Sequence, residues 1–246
     1  MFYFPAEVDG QKSPKLMSIA SQIERSRFIQ SLRLPLVMLA IMWAVHLIQY
    51  LTLSDFGSLG VYPRKTFGLR GILLSPFIHG DWQHIISNSP PFLVLTVIIF
   101  YFYSKVALRS FVMIYLLTGL AVWLFGRNVF HIGASGVIYG LVAFVFWTGI
   151  FRRSIRAIVL ALVVLFLYSG LFVGVVPNQE QNISWESHLM GALVGIFTAY
   201  WYKGNIEKEE QPEQPRWVEE DQQDRPYFLD RDTFDKTRQE KDEEQT

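Results

Sequence analysis

Hydrophobic residues gather in six long runs, which polar segments separate from one another. The runs cover residues 34–53, 85–103, 110–125, 136–151, 157–176 and 187–202. A membrane-spanning helix needs about 20 predominantly apolar residues to cross a hydrocarbon core of about 30 Å. The third, fourth and sixth runs are shorter, and thinning of the bilayer can accommodate them. The pattern therefore predicts an all-α membrane protein with six spans.

The segments outside these runs divide the chain into three regions. Residues 1–33 are predicted to form a cytoplasmic N-terminal segment, in which 15–33 are either an interfacial helix or an ordinary polar lead-in. Residues 34–203 hold the six spans. Residues 204–246 carry 15 acidic and 7 basic side chains with few apolar ones, so we expect a disordered acidic cytoplasmic tail.

Composition agrees with a membrane protein and narrows its chemistry. Hydrophobic residues make up 51% of the chain, and the mean hydropathy is +0.24, which is high for a soluble domain. The chain has no cysteine, which excludes disulfides, a thiolate nucleophile and a Cys-ligated metal. The N-terminus does not resemble a cleavable signal peptide, because the first apolar run lies too deep in the chain.

The distribution of basic residues predicts the orientation, since cytoplasmic loops carry an excess of Lys and Arg. With the N-terminus inside, the four basic residues of the outer loops are Arg64, Lys65, Arg70 and Arg127. The inner side then has eleven: Lys12, Lys15, Arg25, Arg27, Arg33, Lys105, Arg109, Arg152, Arg153, Arg156 and Lys203. We therefore expect both termini in the cytoplasm, with the chain in the bacterial inner membrane.

Four polar residues stand at the starts of apolar runs. His84 and Asn88 begin the second, Ser135 begins the fourth, and His188 begins the sixth. In a six-span arrangement, these three helices all start on the outer side, so the four side chains share a depth. Polar groups inside a membrane are costly, and they are functional candidates by default.

The residue types fit one reaction. A serine hydroxyl becomes a nucleophile when a histidine accepts its proton, and the same histidine then protonates the leaving amine. The resulting oxyanion needs donors, which Asn88, His84 and the backbone N–H of Ser135 can provide. Glycines at 136, 140, 191 and 195 follow the GxxxG spacing, which lets two helices approach closely in a membrane.

The motifs together resemble the rhomboid intramembrane serine proteases over residues 34–202. The family's G-x-S-G is present as Gly133, Ala134, Ser135 and Gly136, and its second-helix H-x-x-x-N runs from His84 to Asn88. The sixth-helix histidine is followed by glycines at +3 and +7, here His188, Gly191 and Gly195, and a tyrosine follows the serine by four residues, here Tyr139. The resemblance implies a six-helix rhomboid-like bundle in which Tyr139 packs against the catalytic histidine.

We therefore predict an intramembrane serine endopeptidase that cleaves membrane-spanning proteins with a Ser135–His188 dyad, since no Asp or Glu lies within the six runs. Asn88 and His84 are predicted to stabilise the oxyanion, with support from Tyr139 and from the glycines Gly133, Gly136 and Gly191. We expect the partners to be transmembrane substrates and the lipid bilayer, with no nucleic acid, cofactor or metal.

Other interpretations stay open for the same residues. Ser135 can be a packing residue, and His84 or Asn88 can cap the second helix, a role that suits His84 better. An inactive rhomboid-like protein that binds membrane protein clients is the alternative function. Many rhomboids carry a Trp–Arg pair in the first loop, which is absent between Asp55 and Trp82, so we expect this loop to be anchored differently.

Overall fold

The computed structural model describes residues 14–152, 159–160, 162–163 and 184–205, which are nearly all helical. The first helix, α1, spans Pro14–Thr52, so it begins well before the first apolar run at residue 34. The segment 14–33 is therefore helical and continuous with the first predicted span. Whether it lies at the membrane interface stays a prediction. Residues 1–13 and 206–246, and with them nearly all of the predicted tail, lie outside the described residues.

A long loop of short helical turns joins α1 to the next long helix. Its 3₁₀ turns are Gly57–Leu59, Thr66–Arg70 and Ser75–Phe77, and the short helix α2 is Gly71–Leu74. The remaining helices are α3 (Trp82–Phe102), α4 (Ala107–Phe125), α5 (Ser135–Arg152) and α6 (Trp185–Tyr202). These correspond to the second, third, fourth and sixth predicted runs. The fifth predicted span, 157–176, lies almost entirely outside the described residues.

Side-chain caps fix where α3 and α6 begin. The carboxylate of Asp81 accepts the backbone N–H of His84 at 2.8 Å, which satisfies a donor that has no partner within the helix. The idea that His84 caps this helix is therefore wrong, because His84 is inside the first turn and Asp81 is the cap. Ser184 caps α6 in the same way through the N–H of Ser187. Glu186 consequently lies within α6, one residue before the predicted start of that run.

The helices present apolar side chains to their surroundings as well as to each other. Within the described part of the chain, four helices are long and apolar enough to cross a membrane: Ser21–Thr52, Trp82–Phe102, Ala107–Phe125 and Ser135–Arg152. Their outward-facing side chains, such as Leu51, Leu108 and Phe102, are more than half exposed. A soluble monomer rarely exposes so much contiguous apolar surface, whereas a lipid environment favours it. The chain is an all-α, multi-pass membrane protein.

Helices α5 and α6 run parallel and meet along their glycines, a contact that we call the glycine seam. A Cβ on Gly191 would collide with the carbonyl oxygen of Gly136, and one on Gly195 would collide with that of Gly140. Matching positions one turn apart on both helices means that their N-termini lie at the same end. Small residues allow this backbone approach, which brings the two helices within van der Waals range.

The loop that precedes α3 is tied to α4 by hydrogen bonds to backbone carbonyls. Arg64 donates to the carbonyl oxygens of Leu124 at 3.2 Å and Gly126 at 2.9 Å, where α4 ends. The indole N–H of Trp123 donates to the carbonyl oxygen of Lys65 at 2.9 Å, and the hydroxyl of Tyr115 donates to that of Leu73 at 2.5 Å. A cation at a helix C-terminus also interacts favourably with the helix dipole. These contacts anchor the loop without a Trp–Arg pair.

Candidate active site

Ser135 is the first residue of α5, and the glycine two positions earlier determines how it is presented. Gly133 has a φ of +99°, a conformation that glycine adopts without steric cost. Its N–H donates to the carbonyl oxygen of Ser75 at 2.9 Å. A Cβ at position 133 would lie 2.6 Å from both Cε1 and Nε2 of His84. Glycine is therefore required both by the backbone and by the neighbouring imidazole ring.

The ring of His188 lies against the ring of Tyr139. Their centroids are 4.1 Å apart and the planes differ by 11°, which is a stacked arrangement. His188 is in the first turn of α6 and is only 6% exposed, while Tyr139 is one turn after Ser135 on α5. The glycine seam holds together the two helices that carry these rings, which keeps the rings in contact. The predicted packing of Tyr139 against this histidine is present in the structure.

His84 and Asn88 follow one another by one helical turn on α3, as their spacing predicts. The imidazole of His84 reaches Gly133, so the starts of α3 and α5 are adjacent. Asn88 is buried, and its amide nitrogen donates to the carbonyl oxygen of His84 at 2.7 Å. That bond uses one of the two amide protons, which leaves the second for another acceptor.

Two further histidines surround His84. His79 is fully buried in the loop before α3, with its ring centroid 4.9 Å from that of His84. Burial, with a smaller contribution from nearby His84, lowers the pKa of His79 to about 3. Its carbonyl oxygen lies 3.3 Å from Nδ1 of His46 on α1. His46 is thus a buried polar contact between α1 and the loop.

A small cavity of about 20 Å³, room for about one water molecule, flanks the start of α5. Gly133 and Gly136, on either side of Ser135, contribute to its wall, together with Ser75 and Thr118. The Thr118 hydroxyl is buried and has no hydrogen-bond partner among the described residues. Buried polar groups of this kind are commonly satisfied by ordered water.

One charged group near this site lies just outside the predicted apolar runs. Glu186 is only 4% exposed, and its carboxylate lies 2.5 Å from Nε of Arg127 in the loop between α4 and α5. Hydropathy alone places the start of this helix at residue 187, after Glu186. The Ser184-x-x-Ser187 cap immediately ahead of the run could have extended that start. Helical residues are about 100° apart, so Glu186 and His188 face nearly opposite directions and do not form a catalytic pair.

The site thus gathers one serine, several imidazoles and an amide at the end of the bundle where α3, α5 and α6 begin. Among the residues that the structure describes, no group of three or more His, Asp or Glu side chains is arranged to hold a metal ion. The groups present can transfer protons and donate hydrogen bonds to a developing oxyanion. Such chemistry fits acyl transfer.

Comparison with known proteins assigns the fold to a family. The sequence model of the Rhomboid domain matches residues 66–204. An uncharacterized protein of Mycobacterium tuberculosis is 36% identical over 189 residues, which cover 72% of this chain and 77% of the relative. An uncharacterized protein of Mycobacterium leprae is 35% identical over 177 residues, which cover 67% and 68% respectively. With its helical bundle and a family match over more than half its length, the chain belongs to the rhomboid family.

Proposed function

We propose that the protein is an active intramembrane serine endopeptidase that cleaves membrane-spanning protein substrates. The observation that carries the proposal is the glycine seam between α5 and α6, together with the stacking of His188 on Tyr139. Both contacts hold the start of α6 against the start of α5, where Ser135 stands. The proposed nucleophile and the proposed base therefore come from two helices with little freedom to separate.

In the proposed reaction, the Ser135 hydroxyl attacks the carbonyl carbon of the scissile peptide bond while His188 accepts its proton. The C–N bond then breaks as His188 returns that proton to the leaving amine, which gives an acyl-enzyme ester on Ser135. Water, deprotonated by His188, attacks the ester and releases the second product. His188 gives the proton that it took from water to the departing Ser135 oxygen, so serine and histidine return to their starting protonation states.

The oxyanion formed in both steps is proposed to be held by three donors. The backbone N–H of Ser135 has no partner within its own helix because it is in the first turn. The second amide proton of Asn88 and a ring N–H of His84 supply the others. His84 is oriented for this role by the space above Gly133, where any side chain would displace the imidazole.

Hydrolysis inside a membrane also requires a supply of water. The cavity beside Ser135 has hydroxyl groups in its wall, and the buried Thr118 hydroxyl offers a hydrogen bond to a water molecule. We propose that both termini are cytoplasmic and that the site opens towards the outer side of a bacterial plasma membrane. Eleven basic residues on one side against four on the other support this orientation.

The alternative is an inactive rhomboid-like protein that binds membrane clients without cutting them. Labelling by a fluorophosphonate probe distinguishes the two, because the probe reacts only with a serine that has been activated by a base. The wild-type protein in detergent should be labelled and should cleave a model transmembrane substrate. Ser135→Ala and His188→Ala should lose both reactions while remaining folded.

A matched control is Ser58→Ala, which removes an exposed hydroxyl from the first loop. This variant should be labelled and should cleave like the wild type. Cleavage by purified Ser135→Ala would end the serine-protease proposal. Failure of the wild type to label or cleave would favour the inactive relative.

A further inference from the structure

The first turn of α6 is attached by side chains to the loop that joins α4 to α5. Arg127 of that loop pairs with Glu186 at 2.5 Å, although the Arg127 side chain is 45% exposed and that of Glu186 only 6%. A second contact joins Nδ1 of His131 to Oγ of Ser184 at 2.5 Å. Ser184 Oγ in turn lies 2.7 Å from Oγ of Ser187. We call these five residues the α6 latch.

The direction of each hydrogen bond in the latch follows from one carbonyl group. Nε2 of His131 lies 3.0 Å from the carbonyl oxygen of Arg127, which can only accept, so Nε2 carries the proton. Burial lowers the pKa of His131, which favours the neutral ring, and Nδ1 is then an acceptor. The Ser184 hydroxyl must therefore donate to Nδ1.

Ser184 has a single hydroxyl proton, so it can only accept from Ser187. Its oxygen receives both the Ser187 hydroxyl at 2.7 Å and the Ser187 backbone N–H at 3.4 Å. Ser184 is thus fully used: it caps α6 and donates to His131 at the same time. A hydroxyl at this position both accepts the Ser187 N–H and donates to His131, and an alanine can do neither.

The loop side of the latch is itself fixed. The backbone of His131 exchanges two hydrogen bonds with Val61 of the first loop, at 3.0 and 2.9 Å. On the helix side, the Ser187 carbonyl oxygen lies 3.1 Å from where a Cβ on Gly136 would be. The latch therefore connects the first loop and the α4–α5 loop to the residue immediately before His188, directly opposite the start of α5.

We propose that the α6 latch is a positioning device, in which Arg127, Glu186, His131 and Ser184 set the placement of His188 relative to Ser135. The glycine seam fixes how closely α6 approaches α5 but leaves the orientation of its first turn to other contacts. The ion pair and the hydroxyl chain supply those contacts. This inference rests on the proposed protease function, since it concerns the base of that reaction.

Kinetics of single variants test the proposal. Glu186→Gln and Arg127→Gln should each lower kcat by roughly 10–100-fold, because a displacement of about 1 Å at a catalytic group can cost about 10² in rate. KM for a transmembrane substrate should change little, since none of these side chains is proposed to bind substrate. The double variant should be no slower than the slower single one, because the pair acts as a unit.

Position 184 offers a conservative rescue. Ser184→Ala removes the cap and the donor to His131, whereas Ser184→Thr retains a hydroxyl that can fill both roles. We expect kcat to fall in the alanine variant and to remain within about threefold of wild type in the threonine variant. Arg70→Gln is the matched control, because Arg70 is an arginine of the first loop whose bond to the Ser58 carbonyl oxygen does not involve α6.

Hydrogen exchange gives a readout that is independent of catalysis. The N–H groups of Ser187 and His188 both point to the Ser184 carbonyl oxygen, at 3.1 and 3.4 Å. Peptides covering residues 184–190 should exchange faster in Glu186→Gln and Ser184→Ala than in wild type, at an unchanged melting temperature. Wild-type exchange and a wild-type kcat in these variants would overturn the latch. A loss of kcat that only follows a loss of folded protein would also overturn it.

The two proposals fail in different ways. If wild type neither labels nor cleaves, the protease function is wrong, and the exchange rates alone then decide whether the latch holds α6. If wild type is active and the latch variants match it in kcat and exchange, only the latch is wrong.

Discussion

The two halves of the proposed site are held by opposite means. Ser135 and His188 come from helices that meet through the glycine seam, where the absence of side chains sets the distance. His84 and Asn88 come from α3, whose start is fixed by the Asp81 cap and by the preceding loop. That loop is held by side chains, chiefly Arg64, that donate to carbonyl oxygens at the end of α4.

This difference predicts how each half responds to change. A seam of backbone contacts has no adjustable part, so any added atom must separate the helices. A loop held by several hydrogen bonds loses about 0.5–3 kcal/mol for each bond removed and can relax in small steps. We therefore expect mutations in the seam to act abruptly and mutations in the loop to act gradually.

The largest effect is expected from a direct loss of chemistry in the α3 half. Asn88→Ala should lower kcat by roughly 10²–10³-fold, the typical cost of removing one oxyanion donor, with a much smaller change in KM. Thermal unfolding on the same preparation separates this from a structural effect. The neighbouring exposed Ser87→Ala serves as control and should retain its kcat. Normal turnover by the folded fraction of Asn88→Ala would refute the oxyanion role.

The effect of a methyl group in the glycine seam should follow how closely the added Cβ approaches the facing backbone. Gly191→Ala would place a Cβ against the carbonyl oxygen of Gly136, and we expect about a 10²-fold loss of activity with about 1–3 kcal/mol of destabilisation. Gly136→Ala should be milder, because its Cβ would lie 3.1 Å from its nearest neighbours. Gly204→Ala, with nothing within 4 Å, should be neutral. Equal activity in all three variants would show that the seam does not set the site.

Removal of the Arg64 side chain, which anchors the first loop, should have a moderate effect on stability and a small effect on labelling. Arg64→Ala removes hydrogen bonds to Leu124 and Gly126, and another to the Asn128 side chain at 2.5 Å. We expect it to lower the free energy of unfolding by about 1–3 kcal/mol while fluorophosphonate labelling slows only a few-fold. Arg70→Ala, which loses one bond within the loop, should change less. A complete loss of labelling in Arg64→Ala would contradict the prediction that mutations in the loop act more gradually than mutations in the seam.

The smallest effect at neutral pH is expected from His79, whose ring lies against that of His84. Its pKa is lowered to about 3, so below pH 6.5 the unfolded chain binds a proton that the folded chain does not. The contribution of His79 to the free energy of unfolding is therefore fully present above pH 6.5. It falls as the pH drops towards 3, by up to about 1.4 kcal/mol per pH unit. Melting temperatures at several pH values should fall more steeply for wild type than for His79→Gln. Identical slopes would mean that His79 titrates normally.

Much of the architecture follows from the sequence, because a helix that crosses the hydrocarbon core needs a long apolar run. The starts and types of α3, α4, α5 and α6 agree with the second, third, fourth and sixth runs to within a few residues. The boundaries that differ are set by local polar residues. The caps Asp81 and Ser184 start α3 and α6 three and two residues before the predicted runs, and hydropathy alone does not register such caps.

The candidate site was also largely visible in the sequence. The spacing from His84 to Asn88 and from Ser135 to Tyr139 reflects one helical turn, which chain position alone specifies. The GxxxG spacing indicated that α5 and α6 meet, and the structure has that contact. Motif and periodicity were sufficient here because each pair lies on one regular helix.

Only the tertiary structure decided which elements meet across long stretches of the chain. The pairing of Arg127 with Glu186, the contact of His131 with Ser184 and the anchoring of the loop by Arg64 join residues more than 50 positions apart. No local periodicity encodes such pairs, since they depend on which helix ends share one end of the bundle. The sequence by itself determined the helices and the chemistry at their starts, and packing determined how those starts are held together.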